Sequence, residues 1–374
     1  MHHPSLRHTA SAALVLCSLA GSAVAADGFK VRYPLSGSLG GEIVAPIDNP
    51  GFFASVVLTQ IELDKLTDDS GNAYVQAKTG SLTTPPIAGA ARTASYSGLV
   101  KLDLKQKQTN ANLIVGYLSE PNFAGGRLAL TFNLPYTTRL DRHLTASGAT
   151  PTLTPLSPAL NSPPLPAGTA AAAQAQTQAG FNLNYQAALA ASTAAATGTS
   201  DGVGDAELTG AWVYRKDDLK VVAGVTLAMP TGRYDANSSI NVGYGNFYTL
   251  RPGMAVAFNP APWLTLGLRG SLAFNTRNKD NQVRSGDFSA LDLAAAIRTP
   301  YGVFGPHVLI VRQFKDDEGG IYGANRFSGQ GVGAFYTALI PAIDTAINLA
   351  YMNMANSKNA LSGSFYQLRV SKAF

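Results

Sequence analysis

Few side chains in this sequence are equipped for covalent chemistry. Past residue 25 it has two histidines, His143 and His307, and no cysteine, because Cys17 lies in the leading apolar stretch. Serine–histidine hydrolysis needs a hydroxyl, an imidazole and an orienting third group within hydrogen-bond reach. No local spacing around either histidine suggests that set. A zinc site wants several Cys or His ligands at short intervals, so no metal and no cofactor is expected. The run Asp316-Asp317-Glu318 has the oxygen chemistry of a hard-cation or lipopolysaccharide contact, but reads first as a solvated loop. Gly202, Gly204 and Gly232 lack a phosphate-loop context and read as turn or close-packing positions. The net charge of +5 comes without a basic cluster interleaved with aromatics, so nucleic acid is not an expected partner. The sequence does not point to an enzyme.

What stands out instead is a set of charges on alternating segments. Arg127, Arg251, Arg269 and Arg298, with Glu207 and Asp292, all fall on the small, polar face of such a segment. Two readings stay open. The arginines and carboxylates brace a wall, or they make a cationic lining that favours anionic or polarizable solutes. Both require the segments to enclose a space.

The segments themselves carry the strongest signal. In Trp263–Phe274, Leu264, Leu266, Leu268, Leu272 and Phe274 share one face, and Thr265, Gly267, Arg269 and Ser271 share the other. That is the period of a pleated strand, not of a helix. A water-soluble sandwich turns the apolar face inward, whereas a transmembrane barrel turns it out to lipid. Loop lengths favour the barrel. Arg215–Asp218, Asn259–Pro262, Thr299–Gly302 and Pro341-Ala342 are short, whereas Pro230–Tyr244, Thr276–Gly286 and Lys315–Ser328 are long and polar. Composition agrees. Charged residues are only 14%, with 37 glycines, 15 tyrosines and 16 phenylalanines. No later apolar run has the length of a spanning helix, and a closed barrel pairs its backbone without one.

The start of the chain fits export. Met1–Ala25 has a modestly basic beginning, an apolar core at Ala12–Leu19 and the small-residue end Ala23-Val24-Ala25. This reads as a secretory signal cleaved before Ala26. The expected organisation is a signal peptide (1–25), a periplasmic lead-in (26–50) and a barrel (51–374) interrupted by a long loop (137–200). The fold class is all-β, an antiparallel transmembrane β-barrel of about 12 strands, with 14 the alternative. Gly51–Lys65 is its first strand, Asn72–Arg92 a loop, Ala94–Ser119 one long strand and Arg127–Tyr136 the next. The 137–200 insertion is rich in proline, then in alanine, and a helix in Ala170–Ala196 suits alanine's propensity. It reads either as a partly disordered extracellular loop or as a lid or plug folded into the lumen.

The last strand puts Tyr366, Leu368, Val370 and the terminal Phe374 on one face, with Lys372 as the exception. An aromatic terminus of this kind, Tyr366 and Phe374 above all, resembles the signal read by the barrel assembly machinery.

Longer stretches resemble a known family. DGVGDAELTGAWVYR, LKVVAGVTLAMPTGRYD, NVGYGNFYTLRPGMAVAF and RSGDFSALDLAAAIR are similar to the MetA-type phenol-degradation proteins, and NPGFFASVVLTQIELDKLTDDSGN resembles their first strand. The resemblance implies a bacterial outer-membrane protein that admits small hydrophobic or aromatic compounds by passive passage. Its partners would be that solute, outer-membrane lipid with lipopolysaccharide, and the assembly machinery. The alternative is a structural or surface-interaction barrel with a closed lumen. The Pro/Ala-rich insertion departs from the family's pattern.

Overall fold

The computed structural model describes residues 32, 50–121, 123–157, 164–320 and 325–374. The expected signal segment, and the expected lead-in apart from Arg32 and Pro50, lie outside the described residues. Fourteen strands and one long helix follow in chain order: β1 (Gly51–Leu66), β2 (Val75–Thr83), β3 (Thr93–Leu118), β4 (Arg127–Ser147), α1 (Ala167–Ala195), β5 (Gly198–Val203), β6 (Glu207–Lys216), β7 (Leu219–Ala228), β8 (Thr249–Ala261), β9 (Leu264–Asn275), β10 (Phe288–Thr299), β11 (Gly302–Gln313), β12 (Ser328–Ile340), β13 (Thr345–Lys358) and β14 (Leu361–Ala373).

Twelve of these strands close on themselves. Neighbours run from β3 through β1 and β14 down in order to β6 and β4, and β4 returns to β3. First and last strands pair antiparallel, with Leu58 opposite Leu368 and Val56 opposite Val370. The two remaining strands are additions to the ring, β2 on β3 and β5 on β4. The expected twelve-strand barrel is therefore present, with β3 as one continuous strand.

The ring turns its apolar residues outward. On β9, Leu266 and Leu268 are 45% and 40% exposed, whereas Thr265 and Ala273, on the other face of the same strand, are 1% and 0% exposed. A soluble barrel would show the reverse. Large aromatics gather at both ends of the outward face. Tyr214, Phe258, Trp263 and Tyr301 stand near the short turns, and Tyr248, Phe274 and Phe314 near the long loops. Eleven steps of about 3.4 Å separate Trp263 from Phe274. On a strand tilted about 40° they rise roughly 28 Å, close to the height of a barrel's apolar band.

The contacts divide the chain into two units. One is the barrel; the other comprises Val75–Leu102 and Ala146–Thr193 among the described residues. In the second unit β2 and the first part of β3 form a hairpin, Lys101 pairing with Val75 and Thr93 with Thr83. An extended segment lies along the β3 edge, Thr154 N–H donating to Ser95 O and Ser157 N–H to Thr93 O, both at 2.9 Å. Helix α1 packs through Phe181 and Tyr185, buried with Leu82, Ala94, Val100 and Leu153. Phe181 and Tyr185 are four apart, so they share one helix face.

Three expectations change here. Asn72–Arg92 is not all loop, because it contains β2. The insertion starts later than residue 137, since β4 runs on to Ser147, and it ends in β5 before residue 200 is passed. Past Tyr136 the β4–β5 register shifts between Thr137 and Leu140, which breaks the period of two along β4. Within the insertion the expected helix is present as α1, and its buried rings pack inside their own unit. A smaller change is at Asn259–Pro262, where β8 continues to Ala261 across a register shift after Phe258.

Candidate functional site

Residues two apart on a strand face the same way, and this places four carboxamides together on β3. Gln106, Gln108, Asn110 and Asn112 all line a cavity of about 190 Å³ in the barrel unit. Gln106, Gln108 and Asn110 are joined to one another, and Gln108, Asn110 and Asn112 to β4, by hydrogen bonds. Gln106 Nε2 donates to Gln108 Oε1 at 3.1 Å, and Gln108 Nε2 to Asn110 Oδ1 at 2.9 Å. Thr137 Oγ1 also donates to Asn110 Oδ1 at 2.9 Å, and Asn112 Nδ2 to Asn133 Oδ1 at 3.0 Å. From Asn112 the bonds reach a charge pair. Asn133 Nδ2 donates to Glu207 Oε2 at 3.3 Å, and Arg251 Nη2 donates to Glu207 Oε1 at 2.8 Å.

Arg32 belongs to the same cavity. Its guanidinium donates to Asp205 Oδ2 at 2.7 Å and to the Phe247 carbonyl at 2.6 Å. The Phe247 ring lies 4.0 Å below it. Asp205 also accepts from the backbone N–H groups of Gly232 and Tyr244. Both cavity carboxylates are thus matched to an arginine.

The residues singled out in the sequence are distributed as follows. Glu207 lines the cavity and Arg251 is its ion-pair partner. Arg269 and Asp292 stand opposite each other on β9 and β10 and pair at 3.0 Å. Arg298 Nη2 donates to Thr265 Oγ1 at 3.3 Å, and Arg127 is half-buried on β4. Tyr366 on the terminal strand and Phe374, one residue past its end, are both exposed. His143 is exposed on β4, not in an irregular loop. His307 is 1% exposed on β11, with Nε2 3.2 Å from the Tyr351 carbonyl oxygen. Two residue sets were missed. The β3 amides read in the sequence as a polar patch, and their i, i+2 spacing is the signal that marks them as one lining face. Arg32 and Asp205 carry no local pattern at all.

The carboxylate run between β11 and β12 binds protein groups. Asp316 pairs with Arg326 at 2.6 Å, and Glu318 with Arg277 and Arg284. Asp317 accepts from the Gly286 N–H and from Gln313, both at 2.7 Å. Burial pushes the Asp317 carboxyl above its ordinary value, against those two hydrogen bonds and with help from Asp316. Among the described residues, no three His, Cys, Asp or Glu side chains converge as a metal site.

Two larger depressions, of about 620 and 650 Å³, are bordered by outward residues such as Leu58, Leu349 and Tyr366, or Phe258, Leu266 and Leu268. They are furrows of the apolar exterior.

The model of the family described as the MetA-pathway of phenol degradation matches residues 105–369, more than two thirds of the sequence. The chain belongs to that family. No curated protein matches it in sequence. Among solved structures, it is similar to an outer membrane channel from Pseudomonas putida F1, with a TM-score of 0.60 and 14% identity over 89% of this chain and 98% of that one. A FadL homologue from Pseudomonas aeruginosa aligns with a TM-score of 0.40 at 11% identity, over 93% of this chain and 100% of that one. A TodX monoaromatic hydrocarbon channel mutant also gives 0.40, at 12% identity over 91% and 99%. At these identities the likeness concerns the fold.

Proposed function

We propose that the protein is a bacterial outer-membrane channel that lets small hydrophobic or aromatic compounds pass inward without energy input. The observation that carries this reading is the inversion of the closed ring: leucines outward, amides and ion pairs around an internal cavity. Such a surface is stable where hydrocarbon surrounds it. The family's tie to phenol degradation supports the solute class. The six charged residues, Arg127, Glu207, Arg251, Arg269, Asp292 and Arg298, serve as inner-wall bracing in this reading, because two arginine–carboxylate pairs already neutralise four of them. The exposed Tyr366 and Phe374 are offered to the assembly machinery, and the outward face to lipid and lipopolysaccharide.

Uptake of a radiolabelled aromatic compound at limiting concentration, in a deletion strain and in its complemented parent, tests the reading. The deletion strain should accumulate the compound more slowly. Equal rates would favour a barrel whose lumen stays shut, and conductance of the purified protein in planar bilayers would then be absent too.

A further inference from the structure

Resting on the channel reading, we infer that the internal cavity selects one uncharged aromatic ring bearing a single hydrogen-bonding substituent, and that Asn110, with its β3 and β4 neighbours, sets this preference.

Size comes first. A dry cavity of roughly 150 Å³ lined by Leu, Ile and Phe side chains takes one benzene molecule. The cavity here, about 190 Å³, has room for one ring and a small substituent.

Its walls are of two kinds. One is the amide row of β3 with Asn133 and Thr137. The other is apolar, made by Ile61, Val311, Phe327, Met354 and Phe365. Glycines on β12 shape this second wall. A Cβ at Gly331 would stand 2.7 Å from Met352 Sδ and 3.0 Å from Met354 Sδ, and a Cβ at Gly329 would collide with the Met354 methyl. The two thioethers therefore lie across the bare β12 backbone. Sulfur beside an aromatic ring is favourable, and the flexible methionine adapts to the ring's outline.

Charge excludes ions. Asp205 and Glu207 are each held by an arginine, so the charges of the described cavity residues balance, and a carboxylate solute would lose its hydration without meeting net positive charge. The amides, by contrast, both donate and accept. A hydroxyl or primary amine can join their row, whereas a methyl group at the same place leaves an amide facing carbon.

Three matched probes test this: p-cresol, toluene and 4-methylbenzoate, titrated calorimetrically into the full-length protein in detergent. The expected order is p-cresol about tenfold above toluene, the worth of one net hydrogen bond, with no detectable binding of the carboxylate. Asn110→Leu should bring p-cresol down to the toluene level and leave toluene unchanged. Met354→Ala should weaken both neutral probes together. Heat-modifiable migration on gels confirms that each variant is folded. If toluene equals p-cresol, or if 4-methylbenzoate binds best, the inference is wrong while the channel reading stands. If no probe binds and uptake in cells is also unaffected by deletion, the channel reading fails and takes the inference with it.

Discussion

The pair Glu207–Arg251 shows what a buried charge asks of its surroundings. Its side chains are 11% and 7% exposed, and Glu207 also accepts from Asn133. Arg251→Met alone should cost about 3–5 kcal/mol in urea unfolding from detergent, because the carboxylate stays behind unpaired. Adding Glu207→Gln should recover much of that loss; if the double variant is as unstable as the single one, the pair is not the source. A second residue-scale expectation concerns Gly333 on β12. A Cβ there would run into the Tyr351 carbonyl and the His307 ring, so Gly333→Ala should destabilise by about 1–3 kcal/mol. Gly210 has no atom within 4 Å of an added Cβ, and Gly210→Ala should stay within about 0.5 kcal/mol. Alternation in the sequence was enough to place Glu207, Arg251, Arg269, Asp292 and Arg298 on one face of their strands. It could not say that Arg269 meets Asp292, because that depends on the β9–β10 register.

Elements are joined by side chains that look incidental in the sequence. In α1, Gln178 Oε1 accepts from the Leu153 N–H at 2.7 Å while its Nε2 donates to the Pro151 carbonyl at 3.1 Å. Gln174 repeats the arrangement one turn away, on Leu156 N–H and the Thr154 carbonyl. The glutamines thus satisfy the free edge of an extended proline-bearing segment, whose other edge bonds β3. Replacing both by alanine should strip hydrogen-exchange protection from the Leu153 and Leu156 amides, while Thr154 and Ser157, bonded to β3, keep theirs. Unchanged protection at Leu153 would count against the clamp. The polar loops at the other connections are tied by charge. Asp287 is fully buried and accepts from the Asn275 N–H, from Arg284 and from Lys315. Burial alone would raise its pKa, but those hydrogen bonds and cations together hold it below its ordinary 3.8. A depressed carboxylate contributes stability that is fully present above pH 3.8 and fades as pH falls through the folded value. Asp317, shifted upward by burial, has the opposite slope. Proteolysis of the 276–287 loop should therefore accelerate on acidification below pH 3.8, and Asp287→Asn should be cleaved readily at neutral pH already. A variant as resistant as the parent at pH 7 would remove Asp287 from the lock.

For the molecule as a whole, the decisive feature is which way the ring faces. Leu268 lies midway along β9 and is outward. Leu268→Arg should cost about 2–4 kcal/mol when folding is measured into lipid vesicles, the midplane value for a barrel's lipid face. The same change at Thr345, next to a short turn, should cost no more than about 1 kcal/mol. Equal, small costs at both positions would mean that the leucines do not meet hydrocarbon.

The sequence by itself determined the class, the twelve barrel strands and which residues of each strand share a face. These follow from local rules, a period of two, turn residues and the alternation of short and long connections, that neighbouring residues carry between them. The tertiary structure decided the rest. Arg32 meets Asp205 across 173 positions, and the β3 amides face Met354 only because β1, β13 and β14 close the ring between them. Contacts between residues so far apart depend on register and closure, and no local pattern records either.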